Sequence, residues 1–183
     1  MDVAVSPLGD AAGRLALYIG IDPGRDKSGW AVVDEFGGLR ASGIFRSSEA
    51  DLFFKALLTG SPDPLEQFLL ERLGPWPSDL PSSDIVMGDG TGKEVLLSLA
   101  QSLSLRVKLI PERGTTLAAR KLYWNLHPPR GLWRLVPSGL RVPSRDVDDL
   151  AAWAIVLNYL DIMVQGTEGN GERHGNGEAG GSC

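Results

Sequence analysis

The sequence predicts an α/β fold built on a mixed five-stranded sheet with helices on both faces. Two features predict it. Three short apolar runs joined by tight turns open the chain. Helical and strand-like runs then alternate, giving the order β-β-β-α-β-α-β-α, which describes a mixed sheet covered by helices. At 183 residues the chain has the length of one domain with a real core.

Each element is legible from its pattern. "LALYIGID" is short and wholly apolar, as a buried strand is. "GWAVVDE" and "LRASGIF" follow as strands across an "FGG" hairpin turn. Ser47 and Ser48 stand as N-caps before the helical "EADLFFKALL", and "PLEQFLLERL" reads as a second helical run after a Pro break. "GPWPSDLPSS" is a loop. Then "DIVMGD" is a buried strand, "GKEVLLSLAQSL" a helix, "RVKLIPE" a strand and "TTLAARKLYWNL" a helix. A long loop, "HPPRGLWRLVPSGLRVPS", precedes the last helix, "RDVDDLAAWAIVLNYLDIMV". The expected organisation is a flexible segment over 1–14, one domain over 15–165 and a disordered Gly-rich tail over 166–183, where no large apolar side chain could anchor the chain.

Composition narrows the classes. The single cysteine is Cys183, so neither an internal disulfide nor a cysteine-based zinc site is expected. No apolar run has the length of a membrane span and the start lacks a signal-peptide pattern, so a cytoplasmic protein without membrane contact is expected. The net charge of −5 hides an asymmetry. Between Arg106 and Arg145 nine basic residues stand against one carboxylate, Glu112, a local +8. Such a block attracts polyanions, or else is a solvated face.

Acidic residues recur where strands end. Asp22 ends the first strand, Asp89 the fourth and Glu112 the fifth, while Asp148 and Asp149 open the last helix. Ligands of open α/β sheets bind at strand carboxyl ends. Carboxylates gathered there repel one another unless a cation neutralises them, and Mg²⁺ or Mn²⁺ takes such hard oxygen ligands together with a substrate phosphate. Each acid has a plainer alternative. Asp22 before Pro-Gly and Asp89 before Gly also suit turns. Glu112 suits the start of the following helix, and Asp146, Asp148 and Asp149 suit capping of the last one.

Three motifs carry a family resemblance. "IGIDPGRDKSGWAVVD" resembles the first strand pair of RuvC-type Holliday junction resolvases and of YqgF (RuvX)-type putative resolvases. "VKLIPERGTTLAAR" and "VDDLAAWAIVLNYL" resemble the YqgF strand ending in Asp-Glu-Arg and the last YqgF helix. Pro111 departs from that pattern, standing where the family has an acid. The resemblance spans about 17–160 and implies the ribonuclease H-like fold, with a catalytic acidic site on Asp22, Glu112 and Asp148. The RuvC register favours Asp149 over Asp148, and RuvC-type enzymes carry an acid at the position of Asp89. The implied metal ligands are thus Asp22, Asp89, Glu112, Asp148 and Asp149, holding Mg²⁺ or Mn²⁺. The implied activity is cleavage of structured nucleic acid, either precursor ribosomal RNA or four-way DNA junctions, the latter by a homodimer.

For the nucleic-acid interface the sequence nominates Arg25, Lys27, Arg113, Arg120, Lys121, Arg130, Arg134 and Arg141. Trp133 combines stacking potential with the simpler task of sealing its loop. Tyr123 and Trp124 read as packing, and His127 as a helix-end residue. Two other functions compete with the nuclease. One is a nucleic-acid-binding domain of the same fold without chemistry. The other is an ATP-binding domain of the actin and Hsp70 type, which needs two such halves where this chain supplies one.

Overall fold

The structure is a computed structural model. It describes residues 15–61, 63–74, 80, 85–137 and 140–171, with backbone alone for 133 and 162–171. The segment 1–14 and the tail beyond 171 lie outside the described residues.

Ten regular elements follow one another: β1 (Leu17–Asp22), β2 (Lys27–Asp34), β3 (Leu39–Arg46), α1 (Ala50–Leu58), β4 (Leu69–Arg72), β5 (Ile85–Gly88), α2 (Lys93–Ser102), β6 (Val107–Ile110), α3 (Thr115–Leu126) and α4 (Asp148–Gly171). The strands form one sheet in the order β4-β3-β2-β1-β5-β6. β1 to β4 pair antiparallel, whereas β5 and β6 run parallel to β1. This is the ribonuclease H-like arrangement with one further antiparallel strand at its outer edge.

Alternation along β1 divides the core. Ile19 and Ile21 face one side, with α1 and α2, where Trp30, Phe45, Phe53, Phe54 and Phe68 form an aromatic cluster. Phe45 and Phe53 stack there with ring centroids 4.2 Å apart. Tyr18 faces the other side, with α3 and α4, where Val86, Ala119, Leu150, Ala152, Ile155 and Val156 pack. Helices therefore cover both faces.

The sheet has six strands rather than five, because "PLEQFLLERL" is not a helix. Asp63–Phe68 is a 3₁₀ segment and Leu69–Arg72 is β4, paired with β3 through Ala41↔Arg72, Ser42↔Glu71 and Gly43↔Leu69. Tertiary contacts override the local helical pattern here. The Trp30 indole donates to the Phe68 carbonyl at 3.3 Å. A Cβ on Gly43 would lie 1.7 Å from that same carbonyl oxygen, so only glycine lets the chain turn in against β3.

Two smaller expectations also change. The Ser47 hydroxyl donates to the Arg25 carbonyl at 2.7 Å instead of capping α1, fastening the β1–β2 loop to the end of β3. The backbone of α4 stays helical through Gly171, beyond the expected start of the tail at 166. Propagation of a nucleated helix costs far less than its first turn, which the buried Leu150–Val156 segment supplies.

Candidate metal centre and nucleic-acid interface

Register places the first acid. Asp22 is the last residue of β1 and pairs with Gly29 of β2. A Cβ on Gly29 would stand 2.0 Å from the Asp148 carbonyl oxygen and 2.6 Å from the Asp149 nitrogen. The missing side chain lets the first turn of α4 lie directly on the sheet beside Asp22.

Glu112 arrives from the other direction. It follows β6, and its side chain crosses β5 over Gly88, whose Cβ would fall 2.1 Å from Glu112 Oε1. The Gly90 N–H donates to Glu112 Oε1 at 3.0 Å, and the Glu112 N–H donates to Asp89 Oδ1 at 3.0 Å. The Glu112 carboxyl reaches Asp22, close enough that the two perturb each other's ionisation.

The electrostatics follow from that crowding. Burial, then the neighbouring charges of Glu112 and Asp148, push the Asp22 pKa up to about 7. Burial also raises Glu112, against the opposing effect of Asp22 and the Gly90 N–H.

Asp148 and Asp149 divide cleanly. Asp148 lies close enough to Asp22 to raise its pKa, and it forms an ion pair with Lys27 at 3.0 Å. Asp149 is fully buried, takes the Ser42 hydroxyl at 2.7 Å, and is gripped by Arg145 at 2.8 and 3.2 Å. Both its oxygens accept bonds from protein donors, whereas Asp148 faces Asp22. Asp89 is exposed, with one oxygen on the Glu112 N–H, and it borders the pair.

Arg145 is the residue that sequence reasoning overlooked. It reaches from just before α4 to Asp149 and, at 2.7 Å, to Glu71 of β4, with its guanidinium over the Tyr123 ring. Glu71 Oε1 also meets His127 Nε2 at 2.8 Å. Burial opposes ionisation of Glu71, but the bonds from Arg145 and His127 outweigh it and hold its carboxyl below the usual range. One carboxylate thus ties both ends of the loop 127–145 to the edge strand, and His127 has this anchoring contact instead of one in the acidic site.

The basic residues nominated for the interface separate into two populations. Arg25, Arg113, Arg120, Lys121, Arg130 and Arg134 are exposed. Arg141 turns inward, donating to the Val136 carbonyl at 2.7 Å and the Arg134 carbonyl at 3.1 Å, and so staples the loop. Lys27 is half-buried. Its ammonium is bonded to Asp146 and Asp148, and although burial alone would lower its pKa, these two carboxylates raise it. Tyr123 is buried and Trp124 half-buried, as packing residues are; the side chain of Trp133 lies outside the described residues.

The donor set suits Mg²⁺ or Mn²⁺. Among the described residues no three potential ligands stand together at coordinating distance, and Asp148 is paired with Lys27. Mg²⁺ does not require such a cage, because one or two carboxylates, waters and a substrate phosphate suffice. Among the same residues no helix is long and apolar enough to cross a membrane.

No protein-family model matches the sequence, and no curated protein does. Among solved structures, the chain is similar to Thermus thermophilus RuvC in complex with a Holliday junction substrate, at 17% identity and a TM-score of 0.45, covering 82% of this chain and 96% of that one. It is also similar to another Thermus thermophilus RuvC structure, at 16% identity and a TM-score of 0.43, covering 83% and 98%.

Proposed function

We propose that the protein is a metal-dependent endonuclease that hydrolyses phosphodiester bonds in structured nucleic acid. One observation carries this reading: Asp22, Glu112 and Asp148 converge at the strand ends, where Gly29 admits the first turn of α4 and Gly88 admits the Glu112 side chain. Asp22 and Glu112 would hold Mg²⁺ or Mn²⁺, Asp148 would complete the site from α4, and Asp89 would flank it. The bound ion supplies a water of lowered pKa and neutralises charge on the phosphate. Water adds to phosphorus as the P–O ester bond breaks, so no protein nucleophile is needed. The exposed Arg113, Arg120, Lys121, Arg130 and Arg134 hold neighbouring phosphates. By the motif resemblance the substrates are a four-way DNA junction, cut by a homodimer, or precursor ribosomal RNA, in the cytoplasm.

The test is incubation of both substrates with Mn²⁺. Asp22→Asn should reduce cleavage by a factor on the order of 10² or more, the scale of lost preorganised charge stabilisation. Activity unchanged in this variant would sink the assignment. Because the proton that the raised pKa keeps on Asp22 must leave before a cation enters, Mn²⁺ affinity should rise as pH climbs through about 7.

A second reading, a nucleic-acid-binding domain without chemistry, is favoured by the ion pair of Lys27 with Asp148. It expects salt-sensitive binding and no Mn²⁺-dependent cleavage.

A further inference from the structure

The loop between α3 and α4 is built around a contradiction. Its 3₁₀ turn, Gly131–Leu135, presents Leu132 at 82% and Leu135 at 81% exposure. Residues three apart eclipse one another in a 3₁₀ helix, so the two leucines form a single apolar knob. Such a knob on a floppy loop would signify little. This one is held. The guanidinium of Arg141 is spent on the Arg134 and Val136 carbonyls at the end of that turn, and both ends of the loop are tied to Glu71.

The charge around the knob selects its partner. Arg130 and Arg134 flank the leucines and are exposed. No carboxylate occurs from Arg113 to Arg145. Apolar side chains set among arginines are what proteins insert between base steps, the arginines taking phosphates while the apolar group replaces lost stacking. The loop ends at Arg145, whose other contact is the Asp149 neighbour of Asp148.

We propose that Leu132 and Leu135 form a wedge that enters unstacked bases, so that the protein binds branched or bulged nucleic acid in preference to continuous duplex. This rests on the proposed nucleic-acid reading and names the structural class of its substrate.

The test uses the full chain in EDTA, without cleavage, against a four-way DNA junction and the matching duplex, with 2-aminopurine at the branch. Wild type should bind the junction at least about tenfold more tightly, on the scale of a few kcal/mol per unstacked step, and brighten the probe. Leu132→Ser/Leu135→Ser should erase both effects, leaving duplex affinity and thermal stability unchanged. Arg130→Ala/Arg134→Ala should instead weaken both substrates and reduce the salt slope by about 2. Equal junction binding by the leucine variant would overturn the wedge. So would leucine-dependent binding of anionic phosphatidylserine vesicles, or leucine-dependent dimerisation, without probe brightening. Probe brightening without Mn²⁺-dependent cleavage would retain the wedge and dismiss the nuclease. Cleavage indifferent to the leucines would do the reverse.

Discussion

The two arms of the acidic site are built by opposite means. Asp148 is carried by backbone: the first turn of α4 rests on Gly29, and Arg145 locks the next residue to Ser42 and Glu71. Glu112 is carried by a side chain, reaching over Gly88 on flexible bonds. An arm set by backbone cannot be disturbed without disturbing the domain. An arm set by side chain can move while the domain stands. The lesson is that damage to the same site should register as lost stability on one side and lost ligand affinity on the other.

The largest effect is expected at Arg145. Arg145→Met leaves the Asp149 carboxylate, which is fully buried, with only the Ser42 hydroxyl. Removing one partner of a buried ion pair costs roughly 3–5 kcal/mol, measurable by urea denaturation. A loss below about 1 kcal/mol would mean that α4 is not anchored this way. Gly29→Ala tests the same arm without touching charge. Its Cβ would strike the Asp148 backbone, and a rigid overlap of that kind costs about 1–3 kcal/mol or more. It should also weaken Mn²⁺ binding, because Asp148 moves with its helix.

Between the arms, Asp22→Asn should change stability with the opposite sign. The folded-state pKa of about 7 lies above the ordinary 3.8, so the folded protein binds the proton more tightly than the unfolded chain. Its stabilising effect is present at low pH and is lost as pH rises from about 4 through about 7. Asparagine cannot ionise, so in EDTA the variant should gain roughly 1–3 kcal/mol over wild type at pH 8 and nothing near pH 4. Thermal melts across that range read it directly. Adding Mg²⁺ should restore wild type alone.

The arms also differed in how far the sequence disclosed them. Asp22 and Glu112 are legible because each ends an apolar run, and a strand end points its next residue at the ligand edge. The choice between Asp148 and Asp149 is not legible, since consecutive helix residues differ only in direction and the partner that claims Asp149, Ser42, lies 107 positions away. Arg145 counted as one more charge in a basic block for the same reason, its bond to Glu71 spanning 74 positions. Glu71 itself was hidden inside a segment read as helix. Its true state depends on Gly43 and Trp30, which local patterning does not see.

The smallest stability effect, and the sharpest test of the contrast, belongs to Gly88→Ala. The new Cβ would meet Glu112 Oε1, Cγ and Cδ at 2.1–2.7 Å. These are the far atoms of a half-exposed side chain, which can swing towards solvent. Alanine also suits a strand better than glycine by a fraction of a kcal/mol. The fold should therefore stay within about 1 kcal/mol of wild type. The site should not. Glu112 would leave both the Gly90 N–H and Asp22, so the Asp22 pKa should drop below about 7 while burial keeps it above the ordinary value. Mn²⁺ affinity should fall on the order of 10- to 100-fold, the scale seen when support for a metal ligand is removed. Carboxyl carbon NMR against pH and calorimetric Mn²⁺ titration read the two quantities separately. Unchanged Mn²⁺ affinity with a displaced Glu112 would remove Glu112 from the site, and with it the side-chain arm.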